Sequence, residues 1–546
     1  MNLLDTPWLP VRRRCGERVW TTPLQALSDP EMVAIDADRG DFNVATMTFL
    51  VGLLQTVSPV DTATSWKRMF TSPPGLDTLQ EWCAPVRSVF EVDGDGPRFM
   101  QSLPFAATEI TSIAGLLIDS PSKNGIELNR DLFIRRSRVR AVCPCCAAMA
   151  LFTLQINAPE GGRGVLTGLR GGGPLNTLIV CMAPRSLWHD VWLNVQQRGA
   201  FLSACGDAGK TAPHFSFPWL AEVAAIQPDG GQTAPLAVHP AHVWWAMPRR
   251  IRLDFDQTVS GECDLCGRAG DKLLTQYITR PQGLNYKGPW AHPLSPYYQV
   301  KDEWWPVHPQ PDGLGYRHWV GWVLGMAREG GRVRPAKVVD TASKWHDLDV
   351  DLCIWASGYA MKQAKALCWY ESRLPLFGLP QCDEEERLMV AEDVGAWVMG
   401  AEQAARCLRA AVAAAWFPGD TRGDLGQITA SFWAATEAPF YRLVRERIES
   451  ARSGQEHDAI ATAERWLSAL NRAALDLFDH QYVGAGNVER QHPDRIATAY
   501  RGLRAALNGK AIRQALRLPV KEIPASRRGP GTATRRSGAA ASKEGA

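Results

Sequence analysis

The sequence has no stretch approaching the ~18 consecutive apolar residues that a membrane-spanning helix requires, so no membrane association is expected. Its opening, MNLLDTPWLPVRRR, lacks the apolar core of a secretory signal peptide. Thirteen cysteines, an odd number scattered along a chain without that signal, argue against a disulfide framework and for thiols in a reducing cytoplasm. An excess of one charge is missing too. The formal net charge of +3 is too small to predict nucleic-acid binding by itself, so an anionic partner must be met by local clusters of Arg and Lys. Hydrolytic metal signatures are absent: His239, His242 and His292 have no E-x-x-H partner and lie beside or near proline in a Trp-rich region, which favours packed side chains. A zinc deaminase would need H-x-E with P-C-x-x-C, but Pro144 is followed by Cys145-Cys146.

What is present is organised around two cysteine pairs, Cys143-Pro144-Cys145-Cys146 and Cys263-Asp264-Leu265-Cys266, with 116 residues between Cys146 and Cys263. Each C-x-x-C turn lets two thiolates meet one ion about 2.3 Å away, and two turns complete a closed S₄ shell, the usual structural Zn²⁺ arrangement. Four thiolates leave no position open for a substrate, so the metal reads as a staple between distant segments. The alternative is a set of unrelated buried cysteines, and Cys145 is the ambiguous member of its cluster.

At 546 residues the chain is too long for one ordinary core, so two or more domains are expected. Residues 1–22 read as a hairpin turning at Arg12-Arg13-Arg14, and FNVATMTFLVGLLQTV after Asp41 reads as a buried helix ending near Pro59. Helical pieces are expected at Ser65 to Phe70 and Leu76 to Cys83. A second hairpin is expected across Asp93-Gly94-Asp95-Gly96, between Val89–Val92 and Arg98–Met100. Asp119 to Arg140 reads as a mobile basic loop, with five arginines among residues 130–140 around Leu132-Phe133-Ile134. Nucleic-acid contact and a solvated surface segment both fit it. After a helix over Ala147 to Gln155 come two glycine runs, Gly161-Gly162-Arg163-Gly164 and Gly168-Leu169-Arg170-Gly171-Gly172-Gly173. Glycines allow close backbone approach, and with Arg163 and Arg170 interleaved they suit phosphate or a narrow DNA groove.

Ala204 to Thr211 matches a relaxed P-loop pattern, but a helical stretch from Leu187 to Gln197 precedes it and Ala212-Pro213 follows, which argues against nucleotide hydrolysis. Val238 to Phe255 reads as a strand leading to the second cysteine pair. Val350 to Tyr359 and Ala364 to Tyr370 read as a hairpin with the tip Ala360-Met361-Lys362-Gln363, where Lys suits phosphate and Gln a base edge. Beyond Pro380 four helices are expected: Asp383 to Phe417, Asp424 to Ser453, Glu456 to Tyr482 and Pro493 to Leu516. Their apolar stripes fit a four-helix bundle. The basic aspect of the last helix fits a solvated face or a nucleic-acid track. The Gly-, Ala-, Ser- and Arg-rich tail from Pro519 should be disordered.

In this order the features resemble the CasA family, the large subunit of the type I-E CRISPR Cascade surveillance complex. The likeness rests on Met1-Asn2-Leu3-Leu4, Pro97-Arg98-Phe99-Met100-Gln101, the paired cysteines, Gly168 to Gly172, Pro240-Ala241-His242, Trp290 to Pro296, Gly358-Tyr359 and Gln363-Ala364, and it runs from Met1 to about Leu518. The resemblance implies an α+β fold: a large mixed α/β N-terminal domain with a structural zinc (residues 1–380), an all-α four-helix bundle (381–518), then the tail (519–546). It implies a non-enzymatic, cytoplasmic antiviral-defence subunit. Such a subunit recognises the protospacer-adjacent motif (PAM) on double-stranded DNA, promotes strand separation and R-loop formation, and recruits a helicase-nuclease. Its partners would be the backbone, small and guide-handle-binding Cascade subunits with the CRISPR guide RNA. By position, the family's glycine loop falls on Gly161, Gly162, Arg163 and Gly164, and its wedge on Lys362 and Gln363. Two departures stand out: Arg163 replaces a third glycine, and the family's lysine position falls on Pro281 beside Arg280. The mobile docking loop near the guide RNA falls on Arg130, Leu132, Phe133, Arg135 and Arg136. The rival readings are a zinc-dependent nucleic-acid enzyme and a free-standing zinc-stapled DNA-binding regulator.

Overall fold

The helix Gly40–Val57 is apolar on nearly every face, and a helix without a polar side has to be surrounded. Phe49, at its middle, makes edge-on ring contacts with Trp8, Phe90, Phe99, Phe152 and Trp245, with centroids 5.5 to 5.9 Å apart. Those five rings come from five separated stretches of sequence, so this residue is where the first part of the chain converges. Helices Pro144–Asn157 and Leu187–Trp192 pack on the same helix. At Gly52 a Cβ would stand 3.0 Å from Cβ of Trp244, so the indole approaches the backbone where no side chain intervenes.

This computed structural model describes residues 1–520 except 106–108, 122, 128–136, 163, 229–230, 329–330, 344, 346, 363–364, 418–422, 424 and 485–491. The side chains of 123–124, 327–328 and 331 are likewise outside the description.

The strands form several small sheets rather than one large one. The expected first hairpin is present as Leu9–Arg13 and Arg18–Thr21, joined by a third strand, Met32–Ile35. Its turn falls later than expected, with Gly16 at φ +93°, because Arg12 and Arg13 are strand residues. The hairpin expected across Asp93 to Gly96 does not form. Ala84–Phe90 coils into a 3₁₀ helix, and the segment after it uses its backbone on the chain start: Leu3 N–H donates to the Phe90 carbonyl (3.0 Å) and Val92 N–H to the Met1 carbonyl (2.8 Å). One local bond across the turn remains, Phe99 N–H to the Glu91 carbonyl at 2.5 Å, while the chain start takes the neighbouring groups and no paired strands develop.

The strand expected over Val238 to Phe255 is reduced to Arg250–Leu253. Pro240–Trp244 is a 3₁₀ turn started by His239, whose ring accepts from the Ala241 N–H, and by the proline that follows. The helix from Leu187 ends at Trp192 rather than Gln197. Arg250–Leu253, Gln276–Arg280 and Glu109–Ser112 make one antiparallel sheet, and Thr258–Glu262 with Ala269–Leu274 a separate ribbon. The late hairpin is longer than expected, Leu352–Lys362 against Lys365–Pro375. Its first strand also pairs with the fully buried strand Asn176–Cys181.

The C-terminal helices follow the apolar stripes: Glu384–Trp416, Gly426–Arg452, Ala459–Asp476 with a π-helical continuation Leu477–Tyr482, and Pro493–Leu507, packed side by side. Asn508-Gly509 breaks the fourth, and Lys510–Ala515 follows as a separate helix. Arg513 turns inward to Glu464 and Arg517 pairs with Glu392, so part of that helix's basic face is engaged within the protein. Tyr316 enters these helices from outside them, stacking on Phe440 at 4.1 Å and hydrogen bonding Thr436 Oγ1 at 2.8 Å.

Candidate metal centre and nucleic-acid interface

Cys143 is the N-cap of Pro144–Asn157. Pro144 supplies a preset φ at the first helical position, and the Cys143 sulfur accepts the Cys146 N–H. Cys263 and Cys266 occupy the turn between strands Thr258–Glu262 and Ala269–Leu274. That turn closes through Gly267 at φ +71°, whose N–H donates to the Cys263 carbonyl at 2.8 Å. Two clamps join the segments. Val142 and Leu274 exchange backbone hydrogen bonds of 2.8 and 2.9 Å, and the Asp264 carboxylate accepts the N–H groups of Arg140 (2.6 Å) and Ala141 (2.9 Å).

The sulfurs of Cys143, Cys146, Cys263 and Cys266 all lie within 4.8 Å of one another, and Cys143 and Cys266 are 3.8 Å apart. A tetrahedron with ~2.3 Å metal–sulfur arms has edges of about 3.8 Å, so the donor set fits a single tetrahedral ion. The Cys143 N–H donates to Cys263 Sγ at 3.3 Å, the kind of contact that tempers thiolate charge. Four thiols this close hold their protons unevenly: hydrogen bonds from Cys143, Cys146 and Cys263 push Cys266 far down, while hydrogen bonding to Cys143, Cys263 and Cys266 pushes Cys146 far up. Arg268 stands beside them. Burial works against its charge, but its hydrogen bond to Cys266 and the charges of Cys145 and Cys143 overcome this, and its guanidinium lies 3.6 Å over the Trp20 ring. Cys145 stays outside the set of four. No other metal-competent group of three or more His, Cys, Asp or Glu occurs among the described residues.

The helix that begins at this cluster ends where the glycine runs begin. In the first run, Gly161 N–H donates to the Val165 carbonyl (3.1 Å) and Val165 N–H to the Gly162 carbonyl (2.9 Å), a closed turn. Gly162 is exposed, and a Cβ there would meet nothing within 4 Å. Gly164 has φ +79° and its carbonyl accepts the Gln282 N–H at 2.8 Å; a Cβ there would lie 2.7 Å from Cβ of Pro281. The turn at Pro281 and the glycine loop are therefore one surface. Arg280 is exposed at its edge, paired across the strands with Arg250. Burial lowers the pKa of Arg249 nearby to about 10, and Arg249 donates to the Pro159 carbonyl. Arg163 lies outside the described residues.

The second run is structural, which corrects the expectation that Arg170 faces an anion. Arg170 is 3% exposed, and its guanidinium donates to Asn176 Oδ1 (2.7 Å) and Ser295 Oγ (3.1 Å). Gly172 lies against Pro159 and Gly173, at φ +62°, against Tyr359 of the long hairpin. Gly168 and Gly173 N–H groups donate to the carbonyls of Ala158 (2.8 Å) and Asn157 (3.1 Å). The run thus ties the hairpin, at Tyr359, to the helix end from which the first glycine loop departs. At the hairpin tip Lys362 is exposed opposite Lys365, and Gln363 lies outside the described residues. So do Arg130, Leu132, Phe133, Arg135 and Arg136.

The remaining motifs read as expected. Ala204 to Thr211 follows a short helix rather than a strand, and Lys210 lies 5.3 Å over the Phe215 ring. His242 is fully buried between the Phe215 carbonyl (2.8 Å) and the Tyr286 hydroxyl (2.9 Å), and burial lowers its pKa to about 4. His292 is buried too, its Nδ1 accepting the Leu294 N–H at 3.1 Å. Sequence reasoning missed the partners around these sites: Asp264 and Arg268 at the cysteines, Arg39 and Asp41 at the hairpin. Proximity to a motif signals Asp264, inside its C-x-x-C turn, and Arg268 just after it, but nothing local signals Arg39 and Asp41, which are 318 or more positions from Tyr359 of the hairpin.

The mixed α and β chain thus carries a four-cysteine cluster, a glycine loop bonded to the turn at Pro281, a long hairpin packed on the second glycine run and a helical C-terminal part. The chain belongs to the family described as CRISPR-associated protein Cse1, whose profile matches residues 2–477. Solved structures of the same fold include CasA of Thermus thermophilus, 17% identical with TM-score 0.66, covering 93% of this chain and 99% of that one. Cse1 of Acidimicrobium ferrooxidans is similar at 16% identity and TM-score 0.65, covering 95% and 98%. A chain of a structure titled CRISPR RNA-guided surveillance complex is similar at 15% identity and TM-score 0.64, covering 93% and 99%.

Proposed function

We propose that this protein is the large, non-enzymatic subunit of a type I-E CRISPR Cascade surveillance complex, recognising the PAM on double-stranded DNA and starting the strand separation that leads to an R-loop. The observation that carries this is the Gly164–Gln282 hydrogen bond. It joins the loop Gly161, Gly162, Arg163 and Gly164 to the turn bearing Arg280, while the second glycine run seats the Lys362-Gln363 hairpin on the same helix end. A backbone-led loop can enter a groove, Arg163 and Arg280 can hold phosphate, and an amide at a ribbon tip can occupy the space of a parting base pair. Base pairing with the guide RNA then reads the target.

In this reading residues 1–380 form the recognition domain, 381–518 a four-helix bundle and 519–546 a tail. Zn²⁺ held by Cys143, Cys146, Cys263 and Cys266 fixes the start of the helix that presents the glycine loop; its role is structural, since a four-thiolate shell is closed. Arg130, Leu132, Phe133, Arg135 and Arg136 dock on the backbone, small and guide-handle-binding subunits near the guide RNA, and the assembled complex recruits the helicase-nuclease. The setting is cytoplasmic antiviral defence; no helix among the described residues is long and apolar enough to cross a membrane. The test is a pull-down with associated RNA, followed by duplex binding of the recovered complex. Recovery of other Cascade subunits with a guide, and loss of duplex binding in Gly162→Asp, is expected; a solitary protein without RNA would overturn the reading in favour of a free-standing regulator.

A further inference from the structure

The long hairpin leaves its sheet before its tip. Strand Asn176–Cys181 pairs with it only as far as Ser357, so from Gly358 to Lys362 the hairpin is a two-stranded ribbon, with a register shift between Ala360 and Met361. An isolated ribbon is marginal and twists strongly, so the direction of the tip depends on what grips these last residues.

Tyr359 is that grip. It is 3% exposed, and its hydroxyl donates to Asp41 Oδ2 at 2.5 Å. Burial, then the neighbouring Asp41 carboxylate, push its pKa up, so the hydroxyl stays a donor. Asp41, the second residue of the Gly40–Val57 helix and 4% exposed, is engaged on both oxygens. Arg39 Nε donates to Oδ1 (3.0 Å), Arg39 Nη2 to Oδ2 (2.9 Å) and Phe42 N–H to Oδ1 (3.0 Å). Burial works against the Arg39 charge, but its pairs with Asp41 and Asp119 raise its pKa well beyond the usual value. Backbone closes in from both sides. Gly173 lies under the Tyr359 Cβ, and a Cβ on Gly40 would collide with the Trp369 indole and the Glu371 carboxylate of the second strand.

We propose that Arg39, Asp41 and Tyr359 form a positioning clamp that sets the direction of the hairpin tip against DNA. Strand opening then depends on a hydroxyl–carboxylate contact three residues from Lys362, about 10 Å away at ~3.3 Å per residue. The proposal rests on the wedge reading above. Tyr359→Phe keeps the ring and its packing on Trp369, with centroids 4.9 Å apart, and removes only the hydroxyl. Asp119→Asn leaves the buried Arg39–Asp41 pair in place.

The experiment measures R-loop formation by assembled complexes carrying Tyr359→Phe, Asp119→Asn or Gln363→Ala, on fully paired targets and on targets pre-melted beside the PAM, with thermal unfolding of each subunit. Tyr359→Phe is expected to slow opening of paired DNA about tenfold and of pre-melted DNA by less than about twofold, with duplex affinity unchanged and Asp119→Asn like wild type. A merely structural loss would depress both substrates alike and overturns the clamp. So does a normal Tyr359→Phe rate on paired DNA when Gln363→Ala is selectively slow, which leaves the wedge reading intact. Equal Gln363→Ala defects on both substrates overturn the wedge reading, and the clamp with it.

Discussion

A metal ion held by the four-cysteine cluster is expected to tighten the protein by an amount that the chain length between the pairs sets. Such an ion would close a loop of 116 residues between Cys146 and Cys263. In the chain-entropy treatment of a cross-link, a loop of this size is worth about 5 kcal/mol. Binding to a shell already assembled from four sulfurs within 4.8 Å adds little native-state strain, so most of that value should appear as stability. The Val142–Leu274 bridge and the Asp264 clamp hold the two segments together in the folded protein but vanish on unfolding. They should let the stripped protein keep its fold while unfolding at lower denaturant. The assay is zinc content by metal analysis and urea unfolding before and after chelation, for the wild type, Cys145→Ser and Cys146→Ser. One zinc per chain, retained by Cys145→Ser and lost by Cys146→Ser, with a clear drop in midpoint on stripping, is expected. Protein isolated without chelator and free of zinc would refute the assignment, as would loss of the ion from Cys145→Ser alone. An unchanged midpoint after stripping would refute the staple even if zinc were bound.

The two ends of the first glycine loop should respond differently to substitution. Gly162→Asp enters open space, so it should unfold like wild type yet bind duplex poorly in the assembled complex, whereas Gly164→Ala, at φ +79° and against Pro281, should cost about 1–2 kcal/mol of stability as well. Asp190, whose carboxylate accepts the Cys181 N–H at 2.8 Å, has its pKa raised by burial from 3.8 to about 6. The neutral acid is the form the fold prefers, so its stabilisation is complete below pH 3.8 and is lost as pH rises through 6, roughly 3 kcal/mol in all. Asp190→Asn should flatten that slope in urea unfolding measured across pH 4 to 7 and be the more stable protein at neutral pH; a slope equal to wild type would count against the burial argument. Among the C-terminal helices, Arg447 has a 6% exposed side chain and pairs with Asp393 at 2.6 Å, so Asp393→Ala should destabilise by about 3–5 kcal/mol in thermal or denaturant unfolding. The double variant Asp393→Ala with Arg447→Met should recover most of that loss.

Periodicity and spacing are local properties, and where local properties decide, the sequence was sufficient. The all-apolar run after Asp41 had to be a buried helix, the stripes beyond Pro380 had to be packed helices, and two C-x-x-C turns had to carry sulfur donors at matched spacing, because each pattern has one economical burial. The order of landmarks along the chain was enough to suggest the family. Tertiary structure decided what competes for a segment. Val92 N–H bonds the Met1 carbonyl and Glu91 bridges Asn2, so pairing with Arg98 to Met100 stops at the single Phe99–Glu91 bond, because a distant backbone competes for the rest. Arg170 reads from composition like its neighbour in the other glycine run, yet it is buried on Asn176 and Ser295 while Gly162 faces open space. Nothing within either run distinguishes them; the difference is that Gly172 and Gly173 pack on Pro159 and Tyr359, whereas Gly162 meets nothing within 4 Å. The Tyr359–Asp41 contact joins residues 318 positions apart, and no local pattern carries such a pairing. It exists only because the helix at Gly40 and the ribbon beyond Ser357 are brought face to face by the core around Phe49 and the sheet beside it.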